Sequence, residues 1–384
     1  MKNIVKYIAA CACIGALAPA GMTSCTDMGG DGIDSVVWNG SINPENTSFH
    51  NPVIEPSVEA GTVLKGASSY VAISATTQWA KGLTNYCPTI SSNNLMTWTT
   101  GNNAFTDDGV PAWSTGRVNS LSVDFARAVT GATYWMFYTI EGENAIGAAS
   151  GMTAQGPFTD RGSFLTATDV NAQTIKDPFF IVITASYYLC YSTEEGTFIQ
   201  RVNLNRNNGA SRNGDPVKLT NSQLSDIAIV RYNASQFYLF ATAEQNGTKE
   251  IRYAMAESVT GPYLDKSGAS LADGSLGEPL VSGSSEFVNP ENPMRAFLNS
   301  EGTHLYLCYN ATEQGKETMT SGYPRRPLFV APLAIGEDGW RQEPDGLHLL
   351  LVLRSAWQGA VVQSVDNRNL LRASFVCLLH LSFC

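Results

Sequence analysis

The chain has 384 residues, 43% of them hydrophobic, which is ample for a sizeable core. It carries a net charge of −10 and no basic run, which excludes nucleic acid as a partner because neutralising phosphates takes clustered Lys and Arg. Charged residues are only 15% and aromatics 10%, a composition suited to an exported sheet protein.

The first segment, 1–25, opens with Lys2 and Lys6, continues as an apolar stretch from Ile8 to Pro19 and ends in small residues. It reads as an export signal, too short for a retained membrane span. Its ending, Met22-Thr23-Ser24-Cys25, resembles a bacterial lipoprotein cleavage box, which implies lipidation of Cys25; an ordinary secretory signal with an incidental cysteine is the other reading. Any membrane contact is then through the lipid alone, at the cell envelope. Residues 26–47 are rich in Gly, Asn and Asp and suit a flexible tether.

From Val53 onward short apolar runs alternate with Gly, Asn, Ser and Thr turns, and no long stretch has 3.6-residue periodicity. The pattern predicts an all-β domain over 48–341. Around Lys176-Asp177-Pro178 the reading is most specific: Phe179–Ile183 and Tyr187–Ser192 are strands of a hairpin broken at Thr184–Ser186. Pro178 disfavours the α region for Asp177 and removes a backbone donor, so Asp177 belongs at a strand entrance. The second strand of this unit recurs at Tyr70, Trp135, Tyr188, Tyr238 and Tyr306, with offsets of 65, 53, 50 and 68 residues. Five such copies predict a five-bladed β-propeller. Upstream of four copies an acid opens another apolar run: Glu55, Asp177, Asp226 and Glu291. Equivalent positions of successive blades surround one axis, so these acids are candidates for a common site.

Two further segments repeat, each after a predicted third strand (Ala145–Ala149 and Ile251–Met255): one runs through Gly156-Pro157-Phe158 to Asp160, the other through Gly261-Pro262-Tyr263 to Asp265. Both lead toward the next blade. Cys190 and Cys308 hold the same place in two blade strands and read as buried small hydrophobes. Cysteine spacing suggests neither a disulfide framework nor a metal site, and no cofactor is expected.

Together, Glu-Pro-Ser-Val at Glu55, the run ending at Trp98, the two Gly-Pro-aromatic segments, Lys-Asp-Pro-Phe-Phe at Asp177, and Arg-Pro-Leu-Phe-Val-Ala-Pro-Leu with Glu-Asp-Gly-Trp ending at Trp340 resemble glycoside hydrolase family 43, the five-bladed propellers that include arabinanases, xylosidases and arabinofuranosidases. The resemblance covers roughly 51–340 and implies acid/base hydrolysis of O-glycosidic bonds by three carboxylates. Inversion needs an opposed pair about 6.5–9.5 Å apart, with room for water. By this resemblance Glu55 stands at the base position where the family has Asp. Asp177 stands at the position that modulates the acid's pKa. Asp226, or its neighbour Ser225, stands near the family's acid Glu. Glu for Asp lengthens the base and Asp for Glu withdraws the acid, so the changes either compensate or mark a propeller that binds glycan without cleaving it. The family's fifth-blade His has no counterpart here, where Glu291-Asn-Pro-Met-Arg295 stands; Glu291 becomes a second candidate acid and substrate contact, and Arg295 a candidate sugar or carboxylate contact.

Trp79 and Trp113 are expected in loops rimming the axial face, as sugar platforms or as packing, whereas Trp98 and Trp340 read as packing. Two functions remain open: a glycosidase of plant-type or host glycans, and a glycan-binding propeller of a surface uptake system. Residues 342–384 lack the blade pattern and make no convincing membrane span; an extra strand, an appendage and a tail altered by a frame change all fit.

Overall fold

The computed structural model describes residues 51–340, apart from 67, 107–110, 129–130, 206, 208, 299–303 and 337. The expected signal segment, the tether and the residue-342–384 tail therefore lie outside the described residues.

Five antiparallel sheets account for nearly all of the described chain. Blade I comprises β1 (Thr62–Lys65), β2 (Tyr70–Ile73), β5 (Pro88–Ser92) and β6 (Trp98–Asn103), with a small hairpin, β3 (Thr77–Ala80) and β4 (Leu83–Asn85), inserted between its second and third strands. Blade II is β7 (Val118–Ala128), β8 (Gly131–Ile140), β9 (Ala145–Gly151) and β10 (Phe158–Thr166). Blade III is β11 (Lys176–Ile183), β12 (Ser186–Thr193), β13 (Gly196–Asn205) and β14 (Gly209–Lys218). Blade IV is β15 (Leu224–Asn233), β16 (Gln236–Gln245), β17 (Thr248–Ala256) and β18 (Glu278–Val281), and blade V is β19 (Phe287–Leu298), β20 (His304–Glu313) and β21 (Leu328–Ala334). The protein is a five-bladed β-propeller.

Second strands read as unbroken apolar runs because blades cover them on both faces. In β16, Phe237 to Ala243 are all buried. Burial is organised between blades rather than at one centre. Five separate apolar cores join blades I and II, II and III, III and IV, IV and V, and V and I. Inner strands touch in the order β1, β7, β11, β15, β19 and back to β1, which closes the ring.

Closure is completed by the chain just before β1. Val53 and Ile54 pair with Leu328, and Val58 N–H donates to Arg326 O at 2.8 Å. Asn51 behaves like a strand residue through its side chain: Nδ2 donates to Val330 O and Oδ1 accepts from Val330 N, both at 2.9 Å. Residues 51–58 thus form a clasp along β21, supplying the fourth layer that blade V otherwise lacks.

The predicted third strands are observed as β9 and β17, but the Gly-Pro segments lead to the fourth strands β10 and β18 of their own blades. The reason is that each blade has four layers, so the third strand must hand on to an outer one. Cys87, Cys190 and Cys308 are buried free thiols.

Candidate active site

In each blade the entrance of the inner strand and the turn between the second and third strands lie on the same face, as antiparallel alternation requires. At that face the inner strands begin with a kink. Ala60, Asp177, Asp226 and Asn292 have φ values of 36°, 52°, 46° and 49°, the left-handed region where side-chain-bearing residues are uncommon and Asn and Asp are favoured. The ladder resumes two residues later in three blades, at Thr62↔Ile73, Phe179↔Cys190 and Ala228↔Phe240. These four residues therefore hold equivalent places in blades I, III, IV and V. All four line a single axial cleft, together with Ser120, Leu121 and Ser122 of blade II. Its free volume is small, about 30 Å³, room for roughly two waters.

Asp177 and Asp226 meet in this cleft, and the electrostatics follow from their burial. Removal from water, and then the charge of Asp226, push the Asp177 carboxyl up to about 7, against the opposing charges of Lys176 and Lys249. Lys176 Nζ lies 3.3 Å from Asp177 Oδ2, an ion-pair distance whose geometry is not that of a hydrogen bond. Ser225 Oγ donates to Asp226 Oδ2 at 3.1 Å, so the serine supports the acid and does not replace it in the cleft. Two carboxyls sharing a buried site hold a proton well above the ordinary carboxylate range.

Glu55 lies elsewhere on the same face. It belongs to the clasp, not to the inner strand of blade I, and does not line the cleft. Arg325 Nη2 is 3.6 Å from its Oε1 and 3.0 Å from Glu313 Oε2. Burial first, then the hydrogen bond and charge of Glu313, raise its pKa while Arg325 and Lys316 oppose. Ala60, five residues on, takes the axial place of blade I. Gly61 follows because the chain presses on β2: a Cβ there would sit 2.0 Å from Ile73 O.

Glu291 is buried at 6% exposure and clamped by ion pairs to Lys249 and Arg326; its neighbour Asn292, not Glu291, lines the cleft. Arg295 lies deeper. Its Nη2 donates to Val123 O at 3.0 Å and Phe180 O at 3.3 Å, Nη1 lies 3.3 Å from Asp124 Oδ2, and its guanidinium covers the Phe179 ring. It bolts blade V to blades II and III. Trp79 is in β3 rather than a loop, its Nε1 donating to Ser57 O at 3.2 Å. Trp113 precedes β7 and donates to Tyr138 Oη at 2.9 Å. Trp98 donates to Leu95 O and is buried, and Trp340 packs edge-on to Tyr253, both as packing residues.

Two residues escaped the sequence reading. Lys249 was unmarked because its sequence context, a turn between strands, carries no chemistry. Glu59 was hidden beside Ala60; burial raises its pKa against the charges of Arg326 and Arg117. Register with the second strand, counted from Ile73 and not from the Glu-Pro-Ser-Val motif, is the signal that finds position 60.

The fold is thus a five-bladed propeller with two carboxyls meeting in a cleft at its axis. Residues 49–341 match glycosyl hydrolases family 43, and the chain belongs to that family; it is a glycosidase of O-glycosyl compounds. It is similar to an extracellular endo-α-(1→5)-L-arabinanase of Bacillus subtilis, 24% identical over 276 residues, covering 67% of this chain and 78% of that protein. Among solved structures it resembles a Cellvibrio cellulosa α-L-arabinanase complexed with arabinohexaose, at TM-score 0.59, 17% identity and coverage of 74% and 94%. It also resembles an endo-arabinanase from Bacillus licheniformis, at TM-score 0.57, 19% identity and coverage of 75% and 98%.

Proposed function

We propose that the protein cleaves an arabinan-type glycan in the axial cleft, with Asp226 as the general acid and Asp177 as the group that keeps a proton on the pair. The observation that carries this reading is the meeting of these two carboxyls in one cleft, where burial and the neighbouring charge of Asp226 push the Asp177 carboxyl up to about 7. Protonation of the leaving oxygen needs a carboxyl that still holds its proton near neutral pH, and like-charge coupling in a buried site supplies it. Linear 1,5-α-L-arabinan and arabinohexaose are the substrates to try first, because the similar proteins act on or bind them. Release of reducing ends from arabinan by the wild-type chain, lowered at least about a hundredfold in Asp177→Asn and in Asp226→Asn, supports the reading; unchanged turnover in both variants overturns it.

A second reading, a glycan-binding propeller with little turnover, is favoured by Ala60, since an alanine cannot activate water. Arabinohexaose binding without cleavage would establish it. Export with lipidation at Cys25 completes the proposal: Cys25→Ser should move the protein from the membrane fraction to the soluble one, and unchanged membrane association removes the anchor.

A further inference from the structure

The rim of the axial face is uneven. Over blades III and IV the turns between second and third strands are two residues long, Glu194-Glu195 and Asn246-Gly247, closed by the pairs Thr193↔Gly196 and Gln245↔Thr248. The corresponding connections of blades I and V, between Ile73 and Pro88 and between Glu313 and Leu328, are fourteen residues each. That of blade V, 314–327, is a built strap. Thr318 pairs with Pro324, Met319 N–H donates to Tyr323 O at 2.8 Å, and the Met319 side chain is buried. At the tip, Ser321 Oγ donates to Gln78 O in β3 of blade I at 2.7 Å. The Arg117 guanidinium lies 4.9 Å from the Tyr323 ring centroid and also donates to its hydroxyl. Arg117 immediately precedes β7 of blade II, whose entrance residues Ser120 to Ser122 line the cleft. At the foot, Arg326 pairs with Glu291 and lies 3.8 Å from Glu59, the chain neighbours of the cleft residues Asn292 and Ala60. The strap therefore runs from blade V past the entrance of blade I to blade II, along the edge of the cleft.

We propose that this strap makes the cleft blind on one side, so that the protein takes a glycan chain by its end and not along its length. The inference rests on the cleft being the glycan site of the preceding subsection. A chain threading the cleft has to cross the ring and leave opposite its entry. In a ring of five, blade III lies opposite the seam of V and I, the seam of III and IV opposite blade I, and blade IV opposite the seam of I and II. All three exits meet the strap, at its contacts with Glu59, Gln78 and Arg117 in turn. A glycan arriving over the low rim of blades III and IV, where Asp177 and Asp226 stand, therefore stops beyond the carboxyls, and only its terminal units fit. Ion pairs hold the foot of this wall, and a neutral glycan does not compete for them. The tip is held by Ser321 and Tyr323, which are the contacts to break in testing it.

The experiment counts proteins bound per glycan chain by calorimetry, on arabinohexaose and on linear 1,5-α-L-arabinan of known chain length, with Asp226→Asn present so that the ligand stays intact. Without that substitution, the viscosity of an arabinan solution is followed against the reducing ends released. Three strap forms are compared: the wild type, a chain with Thr318–Pro324 replaced by the Asn-Gly turn of blade IV, and Ser321→Ala/Tyr323→Ala, which frees the tip and keeps the buried Met319. Thermal unfolding establishes that each is folded. The wild-type strap should give one protein per chain on both ligands, and reducing ends should appear with little fall in viscosity, because trimming ends shortens chains slowly. Either opened strap should raise the count on arabinan to several per chain, leave the hexaose count at one, and make viscosity fall with the first ends released. Several proteins per chain or an early loss of viscosity with the wild-type strap overturns the proposal, as does a folded short-strap form that still binds one per chain. One protein per chain with no reducing ends released upholds the blind cleft and removes the enzymatic reading. No binding of either glycan by any form removes the arabinan reading of the preceding subsection, and the inference falls with it.

Discussion

Asp177 joins a local signal to a distant one. Lys-Asp-Pro places it at a strand entrance, but its proton affinity comes from burial and from Asp226, 49 positions along the chain. Two predictions belong at this scale. Asp226→Asn removes the like charge, so the Asp177 carboxyl, followed by carbon-13 NMR, should titrate clearly below about 7; an unmoved titration would show that burial alone sets it. Stability should also respond to pH. The folded value near 7 lies above the reference 3.8, so this group's contribution is complete below about pH 4 and is lost as pH rises through about 7. Asp177→Asn should therefore melt higher than wild type at pH 8.5 and lose that advantage at pH 4, as read by calorimetry at both pH values.

At the scale of elements, the clasp of residues 51–58 decides what Glu55 is. The Glu-Pro-Ser-Val motif looks like the entrance of an inner strand because its residue types suit either role. Pairing with Leu328 and Arg326 assigns it to the edge of blade V, and Glu55 then meets blade V side chains. Asn51 supplies two of the clasp's hydrogen bonds, each worth about 1 kcal/mol net. Asn51→Ala should cost roughly 1–2 kcal/mol in urea unfolding, with arabinan turnover kept. A loss below about 0.3 kcal/mol would mean the clasp is held by apolar burial of Val53 and Ile54 alone.

Across the whole molecule, Arg295 links three blades at the axis. Its partners are a carboxylate and two backbone carbonyls of blades II and III. Arg295→Ala should destabilise the fold by about 3 kcal/mol, because it strands buried polar groups as well as deleting contacts. Arg295→Lys should recover only part of this, since an ammonium cannot span three acceptors with the geometry of a planar guanidinium. Thermal unfolding of the two variants checks the ordering; equal stability of Arg295→Ala and wild type would show the ring is closed by the inter-blade cores alone.

The sequence by itself determined the blades. Alternating apolar runs, turn residues and the recurrence of one aromatic strand at Tyr70, Trp135, Tyr188, Tyr238 and Tyr306 are local features, and a propeller repeats local features. Asp177 and Asp226 were legible for the same reason, each standing at a fixed distance before its own second strand. Tertiary structure alone decided the occupant of blade I's axial place, because the clasp inserts a paired segment ahead of β1 and shifts the motif away from the axis. It also decided that Arg295 and Glu291 hold the ring together, since their partners come from other blades. A motif fixes the spacing of neighbours along the chain, whereas closure of a ring fixes which strangers meet.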